Sequence, residues 1–477
     1  MTLLILSVIF PVIGGLILPL FNKLKERKIR LGIVVTIQAI ITVIGLMIVF
    51  GENISTGSFT LVDQLSIGFT ADAVAKFFVA LVVIGWMLVT LYACVYMKHE
   101  KNEMRFFLFM FLSEGAMLGA ALSQNLISMY IFYEMVTLFS MPLVLHSLSK
   151  ESVAAAKKYL YYSVAGAFLA LFGIFVLATN NESLAFINGG VGITVTPLVL
   201  AGVFTMILGF GAKAGLFPMH GWLPSAHPVA PAPASALLSG LIAKAGVLTI
   251  IRTIFFFVGT ETLSGTWVQT VALTFALLTV LMGSMMAYLE KGFKKRLAFS
   301  TVSQISYVLT GLFLFTDDGF NGALWQIVFH AVVKVGLFLC AGAVIYMYGK
   351  TEVKDLAGLG KKMPITFTCF TILSLSLIGI PPTGCFYSKW YIATAALDAQ
   401  LGALSWIAPI ILLASAILTA AYLLSISISA FFGKEETETV KVREPLLMVV
   451  PIIVLTVIAV AGGVFSVATN GILTSIL

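Results

Sequence analysis

Residues 208–218 read Leu-Gly-Phe-Gly-Ala-Lys-Ala-Gly-Leu-Phe-Pro. They close an apolar run, 196–217, that matches the ~20 residues needed for one membrane span. Lys213 lies inside that run, and Pro218 ends it at a proline-rich segment, Phe217–Pro233. A charge at the bilayer centre costs about 2.5–3.5 kcal/mol on insertion scales. Proline removes a backbone donor and clashes with the preceding helical turn. The stretch therefore reads as an interrupted helix that carries a buried lysine. The pattern recurs once, in 364–397, which is too long for one straight span and holds Pro381-Pro382 seven residues before Lys389. Two broken helices in the two halves, each with a lysine, are the mark of an inverted-repeat transporter.

The rest of the chain agrees with a membrane setting. Of 477 residues 60% are hydrophobic and 10% charged, with a mean hydropathy of +1.06; soluble chains are about 25% charged. Fourteen apolar segments are predicted: 2–21, 31–50, 73–97, 104–122, 125–146, 157–178, 196–217, 234–257, 267–288, 297–316, 320–347, 364–397, 404–432 and 446–468. At about 20 residues each they take up about 280 residues, which leaves almost no room for a soluble domain. The fold class expected is all-α and polytopic. Met1–Phe21 lacks a basic leader and a small-residue cleavage site, so it reads as a first span, not a removable signal.

The net charge of +7 points to topology and not to nucleic acid. Of 28 Lys and Arg, 22 fall in alternate loops, at 23–30, 98–105, 150–158, 291–296, 350–362 and 434–443. The intervening loops hold Glu52, Asp63, Glu182, Glu261, Asp317, Asp318 and Asp398 and almost no basic residue. By the positive-inside rule the basic loops are cytoplasmic and both termini outside. Glu435, Glu436 and Glu438 read as a solvated face of the longest polar loop, Gly433–Glu444. Cys94, Cys340, Cys369 and Cys385 stand far apart without a CxxC, which argues against a zinc or iron–sulfur site in this chain.

Six ionisable residues sit well inside apolar segments: Glu114, Glu134, Lys213, Lys244, Lys334 and Lys389. Lys76 and Arg252, near span ends, are expected to snorkel. Six buried charges imply a paired or hydrated interior path, and a row of lysines suits a proton relay. His330 shares a helix face with Lys334, four residues on. A single deep histidine argues against haem, and His146, His220 and His227 fall near cytoplasmic span ends. The GxxxG at Gly211–Gly215 is expected to serve close helix packing, and Gly189, Gly190 and Gly192 form no phosphate loop.

These residues resemble a known family. The matching stretches are Tyr133-Glu134-Met135; Gly211-Ala-Lys213-Ala-Gly-Leu-Phe-Pro218-Met-His-Gly-Trp222-Leu-Pro224-Ser-Ala-His227; Ala232-Pro233-Ala-Ser235-Ala; Lys295-Arg-Leu-Ala-Phe-Ser300-Thr-Val-Ser303-Gln304; His330-Ala-Val-Val-Lys334; and Gly379-Ile-Pro381-Pro382-Thr-Gly384-Cys-Phe-Tyr-Ser-Lys389. They are similar to the antiporter-like subunits shared by complex I, Mrp-type Na+/H+ antiporters (the D-type subunit) and membrane-bound hydrogenases, over about spans 3 to 13.

The resemblance implies fourteen helices with two inverted five-helix repeats. The organisation is then 1–97 (helices 1–3), 98–257 (first repeat), 258–432 (second repeat) and 433–477 (cytoplasmic loop and last helix). It implies that Glu134 modulates Lys213, that protons pass by Lys244 to His330 and Lys334, and that Lys389 reaches the far side. Glu114 resembles an extra glutamate of one complex I subunit, whereas Lys389 resembles the Mrp and hydrogenase versions, so both memberships stay open. The chain ends soon after the last span without a long lateral helix, so the largest complex I paralogue is set aside. The partners implied are other membrane subunits, including a homologous antiporter-like chain, a peripheral redox module if the complex is a redox enzyme, and the lipid bilayer of a prokaryotic inner membrane. The transported ions are protons, with or without Na+. No cofactor is expected in this chain; Fe–S, Ni–Fe or flavin groups would belong to partner subunits. Two rivals remain: a structural membrane scaffold with idle buried charges, and a stand-alone solute transporter.

Overall fold

The computed structural model describes residues 1–62, 65–434 and 442–474. Asp63, Glu435, Glu436, Glu438 and Lys441, placed in loops by the sequence reading, lie outside the described residues. The first half holds α1 (Thr2–Ile17), α2 (Arg27–Val49), a hairpin of β1 (Phe59–Val62) and β2 (Leu65–Ile67), α3 (Ala73–Tyr96), α4 (Glu103–Leu122), α5 (Leu126–Val144), α6 (Lys150–Ala178), α7 (Pro197–Ala214), α8 (Leu223–Val229), α9 (Ala232–Leu237), α10 (Lys244–Thr253) and the single turn α11 (Thr260–Leu263). The second half holds α12 (Trp267–Leu289), α13 (Phe293–Phe313), α14 (Asp317–Tyr348), α15 (Pro364–Ile378), α16 (Gly384–Asp398), α17 (Ala403–Phe432) and α18 (Leu446–Thr474). Among the described residues twelve helices are long and apolar enough to cross a membrane. The chain is an integral membrane protein of polytopic all-α fold.

Two expected segments fall outside those twelve, for different reasons. Segment 297–316 is α13, whose Ser300, Thr301, Ser303, Gln304, Ser306 and Thr310 are all buried. Its polarity faces the protein interior, so hydropathy alone undervalues it. Segment 364–397 is split into α15 and α16, each too short to cross alone.

Both expected breaks are present. α7 stops at Gly215, which takes the left-handed conformation at φ 80°, a shape glycine adopts without steric cost. The backbone loosened there is satisfied locally: the Trp222 indole donates to Ala212 O at 2.8 Å, and the Phe217 N–H donates to Thr279 Oγ1 at 3.0 Å. α15 likewise stops at Gly379, φ 94°. Irregular backbone at membrane depth is tolerated only when buried in protein or lining a wet cavity. A third irregularity has no signal in the sequence pattern. The segment Ala232–Val258 contains two π-helical turns, Leu238–Ile242 and Ile254–Val258, and the first ends just before Lys244.

The GxxxG expectation is corrected. Gly215 is the helix stop, and a methyl on Gly211 would meet its own downstream Leu216 at 2.9 Å. The close helix approach is made by Gly166 of α6 and Gly209 of α7, where a methyl on either would come within 2.6 Å of the other's carbonyl oxygen.

The two sets of loops gather at opposite ends of the bundle. At the basic end Arg27 pairs with Glu103 at 2.5 Å, the Phe293 N–H donates to Thr351 O at 2.8 Å, and Glu444 accepts the Ile365 and Thr366 N–H groups at 3.2 and 3.1 Å. At the other end Phe69 bridges Ser123, and the Ile187 N–H donates to Phe256 O at 2.7 Å.

Arg252 does not snorkel. It is fully buried, lies beside the Phe186 and Phe256 rings, and donates two hydrogen bonds of 2.7 Å to Asp72, the N-cap of α3. Its fork fits a carboxylate, so pairing replaces a reach for water. Burial pushes the Asp72 carboxyl up, but the Arg252 hydrogen bonds and charge outweigh it and hold the group below its ordinary value. The pair's stabilisation is thus complete above the unfolded carboxylate range and is lost as pH falls through the lowered pKa. Asp72→Asn leaves a buried guanidinium uncompensated and is expected to cost about 3 kcal/mol, read as a lower thermal midpoint in detergent. An unchanged midpoint would show that the pair contributes nothing.

Candidate functional site

Lys213 is fully buried near the C-terminal end of α7. Its ammonium donates to Tyr133 O at 2.6 Å and to Thr137 Oγ1 at 2.8 Å, both on α5, and lies 3.7 Å from the Tyr133 ring centre. Glu134 is on the same turn of α5 and interacts electrostatically with Lys213. Its Oε1 has no hydrogen-bond partner. The structure brings the two into one neighbourhood, with the lysine's bonds going to neutral oxygens.

Lys244, His330 and Lys334 form a second cluster. Lys244 Nζ stands 2.6 Å from His330 Nδ1 and donates to Ser239 O, in the π-helical turn, at 2.9 Å. A nitrogen–nitrogen contact of that length holds one proton between the two atoms, so the lysine nitrogen and Nδ1 do not both act as donors there. Lys334 donates to Leu297 O at 3.0 Å and to Ser300 Oγ at 2.7 Å, both on α13. Lys389, on α16, donates to Leu377 O at 2.6 Å and Ile378 O at 3.1 Å, the carbonyls at the broken end of α15. A cation there also meets the negative end of the helix dipole. Lys389 lies 4.8 Å from the Tyr307 ring centre and interacts electrostatically with His330 and Lys334.

A row of neutral polar side chains, missed in the sequence, leads from Lys334 to α16. Tyr422 OH donates to Ser300 Oγ at 2.8 Å and stands 3.2 Å from Thr419 Oγ1. Gln304 Nε2 reaches Thr419 at 3.5 Å, Gln326 Nε2 donates to Gln304 Oε1 at 3.2 Å, and Ser388, next to Lys389 in sequence, donates to Gln326 Oε1 at 2.5 Å. Ser, Thr and Gln within apolar runs carry no distinctive spacing. Only their convergence from α13, α14, α16 and α17 reveals the row.

A model of the family described as NADH:quinone oxidoreductase/Mrp antiporter, transmembrane, matches residues 123–419, which contain all of these groups except Tyr422. The chain belongs to this family. The N-type subunit of an NADH-quinone oxidoreductase from Desulforudis audaxviator (strain MP104C) is 30% identical over 413 residues, covering 83% of this chain and 81% of that protein. The D-type subunit of a Na+/H+ antiporter from Alkalihalophilus pseudofirmus is 29% identical over 469 residues, covering 96% and 93%. A chain of the Mrp complex from Dietzia sp. DQ12-45-1b has the same fold, with a TM-score of 0.86 at 22% identity over 100% of this chain and 97% of that one.

Not every candidate of this antiporter-like chain joins the row. Glu114 is fully buried on α4, and its Oε1 accepts from Gln38 Nε2 of α2 at 2.8 Å. Gln38 in turn accepts from Thr90 at 3.1 Å. Glu114 thus faces α2 and α3 and is bonded to an amide, not to a lysine. Conversely, His227, expected near a span end, is fully buried on α8, with neither ring nitrogen hydrogen-bonded. It stacks on Phe338 of α14, ring centres 4.8 Å apart, and interacts electrostatically with Lys294 and Lys334.

Ser300 holds Lys334 and accepts from Tyr422, so the two hydroxyls act as one unit. A hydrogen bond to a charged group is worth about 1.5–3 kcal/mol. Ser300→Ala is therefore expected to slow ion flux through the reconstituted complex at least about tenfold. Adding Tyr422→Phe should slow it little further. Independent, multiplying effects of the two changes would contradict the shared unit.

Proposed function

We propose that the chain is the ion-translocating component of a multisubunit membrane complex. It moves protons along Glu134, Lys213, Lys244, His330, Lys334 and Lys389, with or without coupling to Na+. The observation that carries this reading is the interior row itself. Four lysines and a histidine lie inside the helical bundle, each bonded to a carbonyl, a hydroxyl or one another, and neutral hydroxyls and amides extend the last cluster toward Lys389. Intramembrane ionisable groups of this kind mark ion pathways.

Two further features support an inverted-repeat organisation over 98–257 and 258–432, with fourteen crossings in all. Each half has one broken helix. Each break lysine also lies against a tyrosine ring, Lys213 on Tyr133 of α5 and Lys389 on Tyr307 of α13. The gathering of basic loops at one end supports a cytoplasmic placement for that end in a prokaryotic inner membrane, with both termini outside. His227 and Lys294 are then buried titratable groups toward the cytoplasmic side.

Membership of an Mrp-type antiporter, or of an Mrp-related membrane-bound hydrogenase or oxidoreductase, is the first reading. The D-type antiporter relative matches nearly the whole of both chains. A complex I-type NADH:quinone oxidoreductase is the second, favoured by the 30% identity to an N-type oxidoreductase chain. In either redox case the electron-carrying groups belong to partner subunits. The remaining partners are sibling membrane chains, one of them homologous.

Lys213→Ala is expected to abolish coupled transport while the complex still assembles, as measured by pH-gradient formation in proteoliposomes. Normal transport by a correctly assembled Lys213→Ala complex would overturn the relay. Purification from native membranes separates the memberships: iron–sulfur, nickel or flavin subunits mark a redox-driven pump, and small membrane subunits with a second antiporter-like chain mark an exchanger.

A further inference from the structure

A groove of about 470 Å3 lies along the membrane face between α3, α14 and α18. Phe77, Ala80 and Ile84 form one wall and Val332 and Val335 the other, with Leu241 of the π-helical turn at its base. Its lining on α3 runs from Ala73 at the rim, past Lys76, to Leu88, and the stretch from Lys76 inward is about 18 Å of helix at about 1.5 Å per residue. That is close to one leaflet, about 15 Å of a ~30 Å hydrocarbon core. A partner helix would run the full thickness and needs a trough for a cylinder about 10–12 Å wide.

The groove is apolar apart from one end. Lys76 is the charged residue among the described lining residues, and it sits in the first turn of α3. Its ammonium donates to Gly51 O at 2.6 Å and Asn53 Oδ1 at 2.8 Å, which leaves one of its three N–H donors for a ligand. Asp72, one turn before it, is taken up by Arg252. The site thus offers a leaflet-length apolar slot with a cation at headgroup level.

We propose that this groove binds one acyl chain of an anionic phospholipid, with the headgroup phosphate against Lys76. The site bears on the ion path from outside. α14 carries His330 and Lys334, and Leu241 lies three residues before Lys244. A seated chain would buttress the π-helical turn that offers Ser239 O to Lys244.

The test uses the intact complex, purified in mild detergent and probed by native mass spectrometry and lipid extraction. The wild type is expected to retain an anionic phospholipid. Ala80→Trp, which fills the slot, should lose it. Lys76→Gln should weaken the preference for anionic over zwitterionic lipid about fivefold, the worth of one cation near an anionic headgroup. If Ala80→Trp fails to assemble, Lys76→Gln on the rim carries the test alone. Lipid retention unchanged in the assembled variants would overturn the proposal. So would a cross-link from Ala80→Cys to a sibling chain, which would show the groove covered by protein. Retention is read without any flux measurement, so its outcome is independent of the proton relay.

Discussion

A charged nitrogen inside a membrane bundle must find oxygen within the protein, because the hydrocarbon around it offers none. That constraint shapes this interior. Each buried lysine costs about 2.5–3.5 kcal/mol at the bilayer centre, and two charge-assisted hydrogen bonds at about 1.5–3 kcal/mol each offset it. Regular helices spare few carbonyls. Lys389 uses those exposed where α15 breaks, and Lys244 uses one in a π-helical turn. Lys213 and Lys334 bond mid-helix carbonyls and add a hydroxyl one turn further along, Thr137 and Ser300. The breaks, the π-helical turn and the polar face of α13 are thus answers to one demand.

Much of this was legible in the chain, because the largest energies leave the plainest patterns. The apolar segments, both breaks and the buried Glu, Lys and His residues are set by local chemistry. What stayed hidden depends on partners distant in sequence. Arg252 looked like a snorkelling end because Asp72 lies 180 residues away. Gly209 meets Gly166 only once α6 and α7 pack. The Phe59–Ile67 hairpin is short and sits in a loop read only for charge. The amide and hydroxyl row of Gln304, Gln326, Thr419 and Ser388 has no spacing of its own. Glu114 could be seen to be buried, but the helix it faces could not.

The arrangement divides the interior in two. Glu134 and Lys213 form one neighbourhood, and Lys244 through Lys389 the other. Between them α7 and α10 touch backbone to backbone: a methyl on Gly246 would stand 2.5 Å from Phe210 O and 2.7 Å from Ala214 N. No side-chain hydrogen bond joins Lys213 to Lys244 among the described residues. In the proposed relay a proton crossing that contact needs water or a helix shift. The lysine–glutamate pair sits on one side of it, where a change in their separation alters the charge felt across the gap.

The most direct test of the central claim is proton flux in proteoliposomes of the intact complex carrying Lys334→Gln. Glutamine keeps an amide donor for Leu297 O and Ser300 but cannot carry a proton. A relay predicts flux at background with assembly and thermal midpoint close to wild type. Flux retained at the wild-type level would mean that Lys334 only holds helices together, and the proton path would have to be drawn elsewhere.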